Sequence, residues 1–330
     1  MKKKILIIGS NSFAASTLIN YLLSNKFYIV GISRSTEIIR HYCPYKMNPY
    51  LKNFKFIKMD INYKFNDIVK LIKKYKFETI IDFAGQGMVA ESWLSPYEWY
   101  QTNIVSKTKL YHSLKDLKFI KKIIKISTPE VYGSKKNKIK TNIKYNPSTP
   151  YAVSHATMDT TIKLFREQYG MPIIISRFAN FYGPYQPLYR LIPKAIHYFS
   201  KNKIFEIHGD GKTIRSFIHS SDFSHAIYKI ISRNKNKNIY HFSGSKTTSI
   251  ISILKIISTQ MDIELQNNIK YVPERIGKDF KYVMDDSDSK KYLNWNNKID
   301  IETGIQDCIN WYNNFNASLN KSKSIYIHKI

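Results

Sequence analysis

Gly9-Ser10-Asn11-Ser12-Phe13-Ala14-Ala15 directly follows the apolar run Ile5-Leu6-Ile7-Ile8 and opens a segment of helical period. Small residues at 9, 12 and 15 in a strand-to-helix turn let backbone N–H groups and the helix N-terminus approach a pyrophosphate, which bulky side chains would block. The spacing is that of a dinucleotide turn with two glycines replaced by Ser12 and Ala15; an ordinary tight turn is the plainer reading. Two further segments carry groups that move protons. Ser127-Thr128-Pro129-Glu130-Val131-Tyr132-Gly133 continues the strand-like Ile123-Ile124-Lys125-Ile126, and Tyr151-Ala152-Val153-Ser154-His155 starts a helix after the Pro147 to Pro150 loop. Four residues apart, Tyr151 and His155 share a helical face. Among 25 tyrosines a packing role competes for Tyr151.

The elements that must hold these groups alternate along the chain. Besides the runs already named, Tyr28 to Ile32, Phe54 to Ile57, Thr79 to Phe83 and Ile173 to Ile175 read as strands. Between them Ala14 to Leu23, Phe65 to Tyr75, Tyr97 to Leu114 and Ala152 to Gln168 read as helices. Such alternation predicts an α/β fold: a doubly wound parallel sheet of Rossmann type with a smaller, interleaved C-terminal substrate-binding domain. The division expected is 1-176 for the dinucleotide-binding domain and 177-330 mainly for the substrate, with segments returning to the sheet. Beyond about residue 177 the pattern suggests a loop-built region, and beyond about 313 a weakly ordered tail.

Bulk properties narrow the class. The 330 residues are 43% apolar in short runs, none approaching the ~20 residues of a membrane span. The basic opening and its apolar run stop at Gly9, short of a secretion signal's ~7–15-residue core. Two cysteines, Cys43 and Cys308, provide neither a disulfide framework nor a metal cluster, and suit a reducing cytoplasm. The net charge of +28 comes from lysines spread over the whole length. It reads as a solvated basic surface and not as a nucleic-acid footprint. His208, His219, His225 and His241 have no metal-like spacing. At the second strand's end Ser33-Arg34-Ser35 offers no carboxylate to ribose hydroxyls. Ser33 and Arg34 suit a 2′-phosphate, so NADP is favoured over NAD with both left open, and an exposed loop cation is the alternative for Arg34.

In this order of landmarks the chain resembles the extended short-chain dehydrogenase/reductase superfamily, and within it the nucleotide-sugar 4,6-dehydratases acting on dTDP-glucose and GDP-mannose. The resemblance rests on the following residues. Asp60-Ile61 matches the pair that meets adenine, Phe83-Ala84-Gly85-Gln86 the segment passing the cofactor, and Ser92-Trp93, Pro96 and Asn103-Ile104 the substrate-side helix. Arg177 to Pro184, Leu191-Ile192-Pro193, Gly209 to Arg215, Pro273 to Gly277 and Leu293-Asn294-Trp295 follow, with Gly304 and Trp311-Tyr312 closing the set.

The resemblance implies a tightly bound, recycled NAD or NADP with no metal. Gly9, Ser12, Phe13, Ala15, Ser33, Arg34, Asp60, Ile61, Ala84, Gln86, Asn103, Tyr151 and His155 would meet the cofactor. Gln86, Ser92, Asn180, Leu191, Arg215 and Arg275 would meet a nucleotide-diphosphate sugar. It also implies a homodimer. In the family the tyrosine takes the sugar O4 proton while hydride leaves C4, a glutamate at the position of Glu130 takes the C5 proton, and Thr128 hydrogen-bonds O4. Two residues depart from the pattern. Pro129 replaces the Asp that dTDP-glucose dehydratases use to protonate the leaving C6 hydroxyl. His155 replaces the lysine that holds the nicotinamide ribose, and with an ordinary pKa of ~6.5 it would be mostly neutral. Elimination across another bond, 4-epimerisation, decarboxylation of a nucleotide-uronate, and an inactive dinucleotide or nucleic-acid binder are the competing expectations.

Overall fold

The computed structural model describes residues 3–135, 137–274 and 283–328. The strands are β1 (Lys4–Ile8), β2 (Tyr28–Ser33), β3 (Phe54–Lys58), β4 (Thr79–Asp82), β5 (Lys122–Ser127) and β6 (Ile173–Phe178). They continue with β7 (Asn180–Tyr182), β8 (Phe205–His208), β9 (Ile214–His219), β10 (Ile239–Phe242), β11 (Thr247–Ser249) and β12 (Ile269–Val272). The helices are α1 (Phe13–Ser24), α2 (Phe65–Tyr75), α3 (Pro96–Tyr100), α4 (Lys107–Leu114), α5 (Pro150–Tyr169) and α6 (Leu191–Phe199). After them come α7 (Ser220–Ser232), α8 (Ile250–Gln260), α9 (Ser287–Leu293), α10 (Ile301–Asn314) and α11 (Asn316–Leu319).

Seven parallel strands form the main sheet in the order β3-β2-β1-β4-β5-β6-β10. Chain order reverses between β1 and β4, and ligands bind such sheets in the crevice at the strands' C-terminal ends there. Both faces are covered, which is why the strands read as unbroken apolar runs. Ile5 and Ile7 pack towards α1 and α7, whereas Leu6 and Ile8 pack towards α2, α4 and α5. The same two-residue period sends Ile123 to the α5 side and Ile124 to the other.

The second lobe is more regular than its sequence suggests. Its core is the buried side chains of α6, α8 and α10, including Ile196, Ile253, Ile257, Ile305 and Ile309, which recur at helical spacing. The described residues up to His328 are packed as well. Leu319 of α11 is buried, the Tyr326 ring lies 5.2 Å from Tyr189, and the His328 imidazole stacks 5.0 Å from Trp99. The expected helix Tyr97 to Leu114 is two helices joined by a π-helical turn, Gln101–Ser106, that holds Asn103. Among the described residues no helix is long and apolar enough to cross a membrane.

Candidate active site

At the tip of β1, Gly9 has φ +79°, and a Cβ there would stand 2.7 Å from the Ala84 nitrogen at the end of β4. Only glycine allows the turn to sit this close to the neighbouring strand. Ser12 caps α1, its hydroxyl accepting the Ala15 N–H at 3.3 Å, with Phe13 at the first helical position. Asn11 reaches across to the loop after β2. Its amide nitrogen donates to Ser35 Oγ at 2.9 Å and to the Thr36 carbonyl at 2.7 Å, and its backbone N–H donates to Ser33 Oγ at 3.3 Å. That leaves Asn11 Oδ1 buried with no partner. An uncommitted acceptor beside Ser33 and Arg34, under a helix N-terminus, suits a ribose hydroxyl next to a phosphate.

Asp60 closes the turn after β3, its Oδ1 accepting the Asn62 N–H at 2.8 Å, and the adjacent Ile61 is buried. Gln86 is held through its backbone: Asn103 Oδ1 accepts its N–H at 2.8 Å and Asn103 Nδ2 donates to its carbonyl at 3.1 Å. Asn103 Nδ2 also donates to Ser154 Oγ at 3.0 Å, tying the β4 loop to α5.

Helix α5 begins where the sequence dictates. The Thr149 side chain accepts the Ala152 N–H, Pro150 takes the first turn, and Gly170 ends the helix in the left-handed region. Tyr151 therefore sits in the first turn, with His155 one turn later and the two rings 4.8 Å apart. Ser92 is fully buried; its hydroxyl donates to the Val89 carbonyl at 2.6 Å and accepts the Tyr151 N–H at 3.2 Å, so it seats the start of α5.

Across from Tyr151, Thr128 caps the short turn Pro129–Tyr132, accepting the Glu130 N–H at 3.2 Å. Burial and the Glu130 carboxylate push the Tyr151 phenol above its ordinary value, while a hydrogen bond from Thr128 and the Arg190 guanidinium act the other way. Thr128, Glu130, Tyr151 and His155 are thus brought to one site. Pro129 is buried in that turn. Arg190, just before α6, is a neighbour that the sequence reading missed. It lies within the Leu188 to Pro193 stretch, and its partner cation–π ring is Tyr189, 5.2 Å away.

Behind the site lies a layer of buried charge. Lys125 Nζ donates to Asp159 Oδ1 at 2.5 Å, and Arg177 Nη2 and Ser127 Oγ donate to Asp159 Oδ2 at 2.6 and 2.7 Å. Arg177 also donates to the Tyr132 and Tyr145 hydroxyls, so its role is internal pairing. Lys107 pairs with Asp82 at 2.9 Å. Burial, with Lys125 and Lys107, holds His155 well below its ordinary value, so the imidazole is neutral. The available signal for Lys125 and Asp159 was a lysine inside a strand covered on both faces, where an unpaired charge is not tolerated.

The second-lobe residues are more spread. Asn180 begins β7, Leu191 begins α6, and Arg215 lies in β9 with Nη1 donating to the Ile214 carbonyl at 3.0 Å. Arg275 lies outside the described residues. Among the described residues no three His, Cys, Asp or Glu side chains gather as a metal set.

Residues 6–308 match the family model described as GDP-mannose 4,6 dehydratase. The chain belongs to the GDP-mannose 4,6-dehydratase family. Relatives of this dehydratase family include a trifunctional UDP-glucose 4,6-dehydratase/UDP-4-keto-6-deoxy-D-glucose 3,5-epimerase/UDP-4-keto-L-rhamnose-reductase of Arabidopsis thaliana. It is 30% identical over 94% of this chain, which spans 47% of that protein. The human dTDP-D-glucose 4,6-dehydratase is 29% identical over 98% of this chain and 94% of its own length. The crystal structure of dTDP-glucose 4,6-dehydratase from Bacillus anthracis in complex with NAD superposes with a TM-score of 0.84 at 25% identity. It covers 94% of this chain and 96% of that one.

Proposed function

We propose that the chain is a nucleotide-sugar 4,6-dehydratase. The observation that carries the reading is the joining of Thr128, Glu130 and Tyr151 at one strand end, where burial and the Glu130 carboxylate raise the phenol. Gly9, Ser12, Phe13, Ala15, Ser33, Arg34, Asp60, Ile61, Ala84, Gln86 and Asn103 would hold NAD or NADP, and the turn and the uncommitted Asn11 acceptor fit it. When bound, that cofactor would supply the hydride acceptor for C4 of the sugar and the hydride donor for C6. Tyr151 takes the C4 hydroxyl proton, with Thr128 donating to the same oxygen. The new ketone acidifies C5, because the carbanion formed there delocalises onto it. Glu130 removes that proton.

Pro129 does no acid chemistry, so Glu130 serves both halves of the elimination: it carries the C5 proton to the departing C6 hydroxyl, which leaves as water. Asn180, Leu191, Arg215 and Arg275 would meet the nucleotide diphosphate, the arginines through their planar forks. On this reading residues 1-176 are mainly the cofactor half and 177-330 mainly the substrate half. A second copy would dock on α3, α4 and α5, whose adjacent surface exposes Tyr97, Val105 and Leu164, a test for light scattering. Two buried, unpaired cysteines suit a cytoplasmic site.

The testing experiment incubates the protein with UDP-, GDP- and dTDP-linked hexoses and analyses the products by mass spectrometry and NMR. A 4-keto-6-deoxy product that vanishes in Glu130→Gln supports the reading. An isomer of unchanged mass, a decarboxylated sugar, or water loss without a 6-deoxy centre each replaces it.

A further inference from the structure

His155 stands where the resembling enzymes keep a lysine, and the ring is not alone. Lys125 Nζ lies 3.5 Å from His155 Nδ1, at the outer limit of a hydrogen bond, with both side chains buried. Lys125 reaches it because β5 alternates: Ile123, Lys125 and Ser127 face α5, and Asp159 receives the last two. We infer that Lys125 and His155 together replace the single lysine of the family, Lys125 being a positioning residue that acts through the imidazole.

An ammonium group has only protons to offer, so Nδ1 must accept. The neutral ring then carries its proton on Nε2 and presents one fixed donor to whatever lies beyond the α5 face. The groups facing this pair are Lys107 of α4 with its partner Asp82 of β4, Arg177 of β6, and Asp159 and Tyr151 of α5. In the innermost set two cations, Lys125 and Arg177, meet the one carboxylate of Asp159, leaving a surplus positive charge one residue behind the site. A lysine at 155 would add another cation to that layer. The charge has instead moved from helix to strand, and histidine relays it. Burial brings the Lys125 ammonium down to about 8 despite Asp159, and burial together with Lys125 and Lys107 holds His155 well below its ordinary value.

The inference rests on the dehydratase reading of the site, and its test is separable from it. In wild-type protein labelled with 15N-histidine, NMR should find His155 neutral as the Nε2–H tautomer. In Lys125→Met, with Asp159 still held by Arg177 and Ser127, the ring should mix tautomers and protonate at higher pH. Dinucleotide affinity should fall by about tenfold, the worth of one hydrogen bond. The double variant Lys125→Met/His155→Lys should recover that affinity. An Nδ1–H tautomer in the wild type, or a folded Lys125→Met protein with unchanged His155 titration and affinity, overturns the inference. Failure of the wild type to bind any nicotinamide dinucleotide would overturn the underlying reading instead.

Discussion

The Thr128 hydroxyl oxygen accepts the Glu130 backbone N–H at 3.2 Å. With its lone pair so engaged, the hydroxyl proton is directed away from the backbone, towards the Tyr151 phenol in the substrate-free chain and towards the sugar O4 once a substrate is seated. One side chain thereby engages both the Glu130 backbone and the Tyr151 phenol. Thr128→Ala should lower kcat by about 10²-fold, the scale for a lost donor to a developing oxyanion. Thr128→Ser should retain most of the rate, and steady-state kinetics on both variants checks the pair.

Arg190 lowers the Tyr151 phenol, against burial and Glu130, which raise it. Removing the guanidinium raises the phenol further, so the phenolate forms only at higher pH. Arg190→Met should therefore move the rising limb of the kcat profile to higher pH without changing its shape. A profile unmoved by the substitution would remove Arg190 from the site.

Asp159 is the hub of the buried charge layer. Burial alone would raise its carboxyl, but Lys125 and Arg177 outweigh burial and hold it well below the usual carboxylate range. A depressed carboxyl contributes stability above its unfolded value of ~3.9 and loses it as pH falls through the folded one. Asp159→Asn should leave two buried cations without a carboxylate and cost about 3–5 kcal/mol in urea unfolding at neutral pH. Its deficit should shrink as the pH is lowered.

Much of this arrangement was legible because burial leaves a pattern. Apolar runs covered on both faces announced the parallel strands, and the four-residue step from Tyr151 to His155 announced a shared helical face. The π-helical turn at Asn103 was not legible, since nothing in Gln101 to Ser106 distinguishes it from a regular helix; inside it Asn103 bonds Gln86 and Ser154, distant in sequence. The regularity of the second lobe was obscured by Pro and Tyr between isoleucines that meet only in space. The packing of the last residues depends on distant partners, Trp99 for His328 and Tyr189 for Tyr326. Lys125 was visible as a charge in an apolar strand, but its partners came from α5 and β6, and pairing across elements has no local signature.

Gly9 tests the cofactor end. An alanine there would hold a left-handed φ of +79° and drive its Cβ to 2.7 Å from the Ala84 nitrogen. Backbone strain of this kind costs about 1–3 kcal/mol. Gly9→Ala should lower the urea midpoint accordingly and weaken dinucleotide binding in a fluorescence titration, whereas Ser12→Gly should weaken it far less.

The measurement that bears most directly on the central claim is NMR of the product formed in deuterium oxide from a nucleotide hexose carrying deuterium only at C4. The expected product has lost one water, carries the C4 label at C6, and holds one solvent deuteron at C5 placed through Glu130. A product that keeps its C6 hydroxyl and carries no solvent deuterium at C5 would contradict it, because only the C4 centre would then have reacted.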